Sequence, residues 1–472
     1  MNIFLLLISL SYFLCLSLFY YFENNYKKKP DFFSPGNLFI YFEVLSALPL
    51  FFLSINTDSI ENIIFLKFSS EFRSYDYMIF AYIMTVFSSI LTYLGIVCGY
   101  SIKNKSLFLI FNKIIGITVF KIKKISDIKN IFTIGLFFIG FGICVYIYFL
   151  MRMGGLVDLW LNLNQRVERA AGLGYFQSFY SFAISMGSLI CLYVTFSKNK
   201  YFTSILIFLL NSFVLLSLGQ RGPLLSFIIS VMILRHYGIE RFRKLFTLKR
   251  LFLIILMIII SLISVQFRQI NAVEKYSGNV GLLMTDAFES FETHLLLRFS
   301  RVERDVVILK YFDENDFWLG SSYLSLVTAP IPRNIFPDKP PVDTGRYLLG
   351  MAEGRIINPP MPVSELPPSS WPEANWAGYM NFGILGFILL FFISGVIPAW
   401  IYNFMKFHSF SIGSILLYTE FCRVSVLSPS GIVGILTNLI LFFILSFAYK
   451  LYLFMIRKNK KGRNSITFEN QL

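Results

Sequence analysis

Residues 131–150 read IFTIGLFFIGFGICVYIYFL, a run without a single charged side chain. A helix of about twenty apolar residues is long enough to cross the roughly 30 Å hydrocarbon core of a bilayer. This run belongs to a chain of 472 residues, of which 56% are hydrophobic and 15% are charged. Since soluble domains usually carry about a quarter charged residues, we predict an all-α polytopic membrane protein.

Further apolar runs raise the predicted number of transmembrane helices to about eleven. They are roughly 2–22, 37–54, 77–99, 177–196, 201–218, 223–236, 249–266, 380–402, 409–427 and 432–455. The run 223–236 is short for a span. The stretch 107–120 contains Asn112 and Lys113, and we predict that it forms a helix on the cytoplasmic surface that does not cross.

The net charge of +15 comes from Lys and Arg in short clusters between the apolar runs, such as 27–29 and 457–463. Positive residues are enriched in the cytoplasmic loops of membrane proteins. Their positions therefore argue against a nucleic-acid partner and predict the topology instead. The amino terminus is expected outside, in the periplasm, and the carboxyl terminus in the cytoplasm.

The spans divide the chain into four parts. Residues 1–266 contain predicted spans 1–8 with short loops, and 267–379 form a large, partly helical periplasmic loop. Residues 380–456 contain spans 9–11, and 457–472 form a basic cytoplasmic tail. Within the loop, apolar residues at helical spacing predict a helix over about 280–312. Prolines in the part from 329 to 372 predict an extended segment on the membrane surface.

Arg221 lies in the tight outer turn Gly219-Gln220-Arg221-Gly222-Pro223 between two predicted spans. Its guanidinium has five donors in a planar arrangement that suits a phosphate or diphosphate group. An arginine at the membrane boundary can equally extend towards lipid head groups without any further function. Both interpretations of Arg221 remain open from the sequence.

A second group of candidates lies in the proline-rich segment 330–341, which reads PIPRNIFPDKPP. The prolines make this backbone stiff, and it carries the cations Arg333 and Lys339, with Arg346 shortly after. A stiff backbone that holds cations is typical of a clamp for an anion or a carbohydrate. A rigid, solvated linker is the alternative. The segment before the ninth span contributes Glu373, a candidate base, and the aromatic residues Trp376 and Tyr379, which suit either sugar stacking or the membrane interface.

Charged residues elsewhere have competing explanations. Glu420 and Arg423 lie one turn apart in the tenth span, where an ionisable residue is costly and often functional, although the two can neutralise each other. Arg298 and Arg301 lie on the predicted loop helix, where a solvated face also explains them. Glu43 in the second span is expected to be structural.

Several kinds of site are not found in the sequence. No H-E-x-x-H, Walker or G-x-S-x-G motif occurs, and the histidines 236, 294 and 408 are too scattered for a metal cluster. The five cysteines lie in apolar runs, so neither a disulfide nor a metal site is expected. The Asp-x-Asp spacing of nucleotide-sugar enzymes is missing, and a glycosyl transfer outside the cell would therefore require a lipid-linked donor.

With these motifs the chain resembles the O-antigen polymerase family, the Wzy-type oligosaccharide repeat unit polymerases. The matching pieces are Arg221-Gly222, the segment 332–340, and Glu373 followed by Asn381-Phe382-Gly383 before a span. The plan of ten to twelve spans with one large outer loop late in the chain also matches. The resemblance implies a GT-C-like glycosyltransferase of the bacterial inner (plasma) membrane that requires neither a metal nor a cofactor.

The resemblance also implies substrates, partners and roles. Undecaprenyl-pyrophosphate would carry both donor and acceptor glycans, and membrane lipids, a chain-length regulator and a flippase of the pathway would be partners. We assign Arg221, Arg333 and Arg423 to the departing diphosphate and Glu373 to the base. Substrate binding is expected of the following residues: Lys339, Arg346, Arg298, Arg301, Trp376, Tyr379 and Asn381. An O-antigen ligase and a lipid-linked oligosaccharide flippase or transporter remain alternatives.

Overall fold

The computed structural model describes most of the chain as helices joined by turns. The described residues are 2–25, 31–55, 75–115, 125–161, 169, 172–217, 221–242, 281, 285–286, 302–333, 335–367, 371, 375–422, 427–444, 447, 450, 451 and 454. No strand occurs among them. The structure thus confirms the all-α prediction for these residues.

Fifteen helices are described in the following order. They are α1 (Asn2–Asn25), α2 (Pro35–Ile55), α3 (Tyr75–Ser101), α4 (Lys105–Ile115), α5 (Ile125–Arg152), α6 (Leu156–Leu161), α7 (Gly174–Ser197), α8 (Tyr201–Leu216), α9 (Arg221–Gly238), α10 (Val302–Glu314), α11 (Ser325–Thr328), α12 (Gly345–Ala352), α13 (Ala377–Phe407), α14 (Ile412–Phe421) and α15 (Pro429–Ile444). Two short 3₁₀ turns, Ser321–Leu324 and Val363–Glu365, lie between them.

Six of the described helices are long and apolar enough to cross a membrane, namely α1, α2, α3, α5, α7 and α13. Four shorter apolar helices, α8, α9, α14 and α15, coincide with further predicted spans. The predicted span 249–266 lies outside the described residues. The structure therefore supports an α-helical membrane protein, and the number eleven stays a prediction.

Close glycine contacts define how the long helices run relative to one another. A Cβ atom on Gly95 of α3 would lie 2.0 Å from the carbonyl oxygen of Phe392 in α13, and one on Gly395 would lie 2.0 Å from that of Thr92. Contacts of Gly99 with Val396, one turn further along both helices, show that α3 and α13 run in the same direction. Small residues four apart allow this backbone approach.

Two other helix pairs have a similarly clear direction. Gly135 of α5 meets Gly187 of α7, whereas Gly142 meets Ile184, so α5 and α7 are antiparallel. Gly238 at the end of α9 lies against Tyr193 near the end of α7, so these two helices end on the same side. The arrangement agrees with the alternation of the predicted topology.

Residues 302–367 fold over one end of the helices, and we call this segment the cap. The indole N–H of Trp318 donates to the Ile357 carbonyl at 3.0 Å, and the Ile357 N–H donates to the Tyr311 hydroxyl at 2.8 Å. Tyr77 of α3 donates to the Asp313 carboxylate at 2.5 Å. The cap thus has its own buried centre and is attached to the membrane helices.

The cap differs from the sequence prediction in its second half. We expected an extended segment from 329 to 372, but α12 (Gly345–Ala352) lies within it. Tyr347, Leu348 and Met351 of this helix are buried, and the helix packs against α10 within the cap. Burial of these apolar residues between the prolines explains the difference. Of the predicted helix 280–312, α10 covers the part from Val302, and most of 280–301 lies outside the described residues.

Helix α13 is interrupted near its start. Phe382 and Gly383 are not helical, and Gly383 has φ 62° and ψ −148°, a conformation open essentially to glycine alone. Because the helix is interrupted here, the carbonyls of Met380 and Asn381 can accept hydrogen bonds from outside the helix. They accept hydrogen bonds from the backbone N–H groups of Trp318 (3.1 Å) and Leu319 (2.8 Å) in the cap. The Asn-Phe-Gly motif is therefore the junction between cap and helix.

The opposite end of the helices is closed by aromatic packing. Phe108 and Phe111 of α4 lie against Trp400 and Phe404 of α13, with ring centroids 5.0–5.8 Å apart. Asn403 donates to the carbonyls of Gly99, Tyr100 and Ile102 at 2.9–3.1 Å. These carbonyls lie at the end of α3, where helical partners run out. We call this the far end.

Candidate functional site

Three predicted cations, Arg333, Lys339 and Arg346, lie in the described part of the cap. Arg333 follows Pro332 in a tight turn, in which the N–H groups of Ile335 and Phe336 donate to the Pro332 carbonyl at 3.0 and 3.1 Å. The half-buried Arg333 side chain donates to the Pro337 carbonyl at 3.2 Å. The guanidinium is thus held against its own loop.

Lys339 is buried and points into the loop. Its ammonium donates to the carbonyls of Ala329 at 3.0 Å and Ile331 at 2.7 Å. The same ammonium lies 5.8 Å from the ring centroid of Tyr175, the second residue of α7. The Tyr175 hydroxyl donates to the Ala329 carbonyl at 2.5 Å. Tyr175 was not identified from the sequence, because only the folded chain brings it to the cap.

The electrostatics of these residues indicate excess positive charge. Partial burial lowers the pKa of Arg333, and the neighbouring charge of Arg346 lowers it further, while Asp338 and Tyr175 act in the opposite direction. Burial lowers the pKa of Lys339 as well, with a contribution from Arg333. A cation whose pKa is lowered by a neighbouring cation lies in a positive environment, and such an environment favours an anion.

Arg221 is the first residue of α9, and its side chain is not described. Because α7 and α9 end side by side at Tyr193 and Gly238, their first turns lie at the same end. Tyr175, in the first turn of α7, contacts the cap. The backbone of Arg221 therefore begins its helix at the cap end, the side on which the other cations lie.

Trp376, Tyr379 and Asn381 are buried at the junction of the cap with α13. Trp376 is 2% exposed, and its ring packs edge-on against Tyr379 (5.4 Å) and Phe387 (5.2 Å). Asn381 is fully buried, donates to the Ala377 carbonyl at 2.7 Å and accepts a hydrogen bond from Ser322 at 3.0 Å. In this structure all three residues pack the junction, and neither ring offers a face to a sugar.

Four predicted site residues, Glu373, Arg423, Arg298 and Arg301, lie outside the described residues. The expected pair of Glu420 with Arg423 is therefore untested. Glu420 itself accepts a hydrogen bond from Asn438 of α15 at 3.0 Å.

Glu43 has hydroxyl partners inside the group formed by α1, α2 and α3. Its carboxylate accepts hydrogen bonds from Tyr12 and, at 3.1 Å, from Ser89. These bonds join three neighbouring helices, and the structural role expected of Glu43 agrees with them.

The far end contains a buried polar cluster that the sequence interpretation missed. Asp31, between α1 and α2, accepts hydrogen bonds from Tyr402 and, at 2.7 Å, from Tyr237. The Nε2 atom of His236 lies 3.3 Å from the same carboxylate. Its Nδ1 atom accepts the backbone N–H of Phe242 at 3.0 Å.

Hydrogen bonding controls the charge of Asp31. Burial alone would raise its pKa, but the approach of His236 and the hydrogen bonds from Tyr402 and Tyr237 outweigh burial and lower the pKa to about 2. His236 is 2% exposed and has a contact on each ring nitrogen. The cluster therefore holds helices together, with no open face for a substrate. Its members are far apart in the sequence, and no spacing pattern could reveal them.

A comparison of the chain with protein-family models, with curated proteins and with solved structures finds no match. Within the described ranges, no group of three or more His, Cys, Asp and Glu side chains is placed to hold a metal ion. The interpretation of the site accordingly rests on its own geometry and charge.

Proposed function

We propose that this protein is a membrane glycosyltransferase that joins undecaprenyl-pyrophosphate-linked oligosaccharide repeat units into O-antigen or a similar surface polysaccharide. The reaction would take place on the periplasmic face of the bacterial inner membrane. The observation that supports it is that the charge of Arg333, in the folded cap, interacts with the charges of Arg346 and Lys339. The helix that begins with Arg221 starts at the same end.

This arrangement suits a reaction with a diphosphate leaving group. A hydroxyl of the acceptor glycan attacks the anomeric carbon of the donor, and the bond from that carbon to the diphosphate oxygen breaks. Negative charge then develops on the diphosphate, and fixed arginine donors stabilise it more strongly in the transition state than in the ground state. The attacking hydroxyl loses its proton to a base, for which Glu373 is the candidate.

The direct test uses purified full-length protein in lipid nanodiscs, given synthetic lipid-diphosphate-linked repeat units. The proposal predicts a ladder of products that differ by one repeat unit, together with release of the lipid diphosphate. Failure to form any product longer than one unit, by protein that is correctly folded, would rule it out.

A deletion strain separates the related functions. Lipopolysaccharide capped with one repeat unit is the result expected for a polymerase. Complete loss of capping, with long glycan still on its lipid carrier, would instead indicate a ligase. Accumulation of repeat units that face the cytoplasm would indicate a flippase. The last two outcomes each contradict the proposal.

A further inference from the structure

The carbonyl oxygen of Ala329 is the acceptor for two side chains from different parts of the fold. The hydroxyl of Tyr175 in α7 donates to it at 2.5 Å, and the ammonium of Lys339 donates to it at 3.0 Å. Lys339 also donates to the Ile331 carbonyl at 2.7 Å, so its two acceptors lie on either side of Pro330 in the sequence. Arg333 follows two residues later. The start of the proline-rich segment is thus tied to the first turn of a membrane helix.

The chemistry of Lys339 in this arrangement is that of a fixed scaffold. Two of its three N–H donors are used by backbone carbonyls, its ammonium faces the ring of Tyr175, and the residue is 9% exposed. A charge-assisted hydrogen bond is stronger than a neutral one. Without the ammonium of Lys339, the loop that carries the Ala329 and Ile331 carbonyls would therefore adopt a different position. Lys339 therefore acts on the loop that carries Arg333.

We propose that Tyr175 and Lys339 form a latch that holds residues 329–339 against α7 and so positions Arg333 for the departing diphosphate. This inference rests on the proposed function, and within it both are positioning residues. The assignment differs from substrate binding by Lys339, which the sequence suggested. It also gives a role to Tyr175, whose exposed ring carries a hydroxyl directed at backbone.

The test combines hydrogen exchange with steady-state kinetics on full-length protein in nanodiscs. Tyr175→Phe removes one donor without a change of charge, and Lys339→Met removes the other two. Both variants are expected to speed amide exchange in 329–339 and to lower kcat about five- to tenfold, the range of one to two hydrogen bonds. KM for the lipid-linked substrate should stay within about twofold, because the positioned arginine acts on charge that develops in the transition state.

Tyr175 and Lys339 donate to the same Ala329 carbonyl. A protein that combines Tyr175→Phe with Lys339→Met should therefore lose little more activity than Lys339→Met alone. Tyr201→Phe is the control, since Tyr201 is an exposed tyrosine at the start of α8 with only a long contact to Asn199 (3.4 Å) among its described hydrogen bonds. It should change neither exchange in 329–339 nor kcat. Tyr175→Phe keeps the test valid where Lys339→Met does not fold.

Two outcomes would overturn the latch. Faster exchange with an unchanged kcat means that the segment is held for stability alone, and a lower kcat with unchanged exchange means that the side chains touch the substrate. Failure of the proposed function looks different, because wild-type protein then makes no ladder at all. The exchange data in that case still decide whether Tyr175 and Lys339 order the segment.

Discussion

Arg333 owes its candidate role to what surrounds it. Its side chain is half-buried and donates to the Pro337 carbonyl, and burial together with the charge of Arg346 lowers its pKa. The sequence predicted that prolines hold this arginine in a clamp for an anion or a carbohydrate, and that role stays a prediction. The sequence could not show that Lys339 points inward, because Tyr175, whose hydroxyl shares the Ala329 carbonyl with it, is distant in the chain.

Replacement of Arg333 by alanine should lower chain elongation about a hundredfold, the usual loss for one fixed donor to developing negative charge. Arg355→Ala is the matched control. Arg355 is an exposed cap arginine that pairs with Glu353 at 2.9 Å, and its loss should leave elongation within about twofold. The lengths of glycan made by each variant, at equal amounts of inserted protein, provide the measurement. Equal effects of the two substitutions would contradict the role of Arg333.

Arg221→Ala should likewise abolish chain elongation while the protein inserts into the membrane normally. The reason is the position of Arg221 at the start of α9, at the cap end, where a departing diphosphate would be stabilised. Glycan length on gels and the amount of protein in the membrane fraction are the two measurements. Near-normal long glycan from this variant would remove Arg221 from the mechanism.

At the scale of the helices, the glycines of α3 and α13 are decisive. Gly95 and Gly99 are four residues apart, as are Gly395 and Ala399, and the two pairs face each other. This spacing is visible in the sequence, although without the fold it names neither the partner helix nor its direction. Helices that approach this closely gain van der Waals contact along their length.

Gly95→Ala should destabilise the protein by about 1–3 kcal/mol, as overpacking usually does. Its new methyl would lie 2.0 Å from the Phe392 carbonyl oxygen, so α3 and α13 must separate. Gly140→Ala in α5 is the control, because nothing lies within 4 Å of its Cβ position. Thermal unfolding in detergent should show a lower Tm for Gly95→Ala alone, and a similar loss for Gly140→Ala would refute the packing argument.

On the scale of the whole molecule, the Asp31 cluster joins parts that are remote in the chain. It connects the turn after α1 with the ends of α9 and α13, the two helices whose first residues lie at the cap end. The sequence predicted the helices and their alternation from hydrophobicity and charge. It did not predict this cluster or the folded cap, since both depend on contacts between distant segments.

The cluster predicts a specific dependence of stability on pH. The pKa of Asp31 is about 2 in the folded protein and 3.8 as its ordinary value, so ionised Asp31 stabilises the fold above about pH 4. A difference of this size corresponds to about 2 kcal/mol, and it disappears as the pH falls through about 2. Asp31→Asn should therefore be less stable than wild type at neutral pH.

Chemical unfolding in mixed micelles across this range measures the effect. The free energies of unfolding of wild type and Asp31→Asn should converge towards pH 2. Glu353→Gln, which changes an exposed carboxylate of the cap, should instead follow the wild-type curve at every pH. A constant difference between wild type and Asp31→Asn would mean that the carboxylate charge is not what stabilises the far end.

The interruption of α13 at Gly383 bears on how the protein is made. Two backbone N–H groups of the cap, those of Trp318 and Leu319, find their acceptors only on Met380 and Asn381, which leave the ribosome later. The cap must therefore remain incomplete until the first turn of the following membrane helix has been made and has reached it. Folding of the cap and integration of the next helix become a single assembly event.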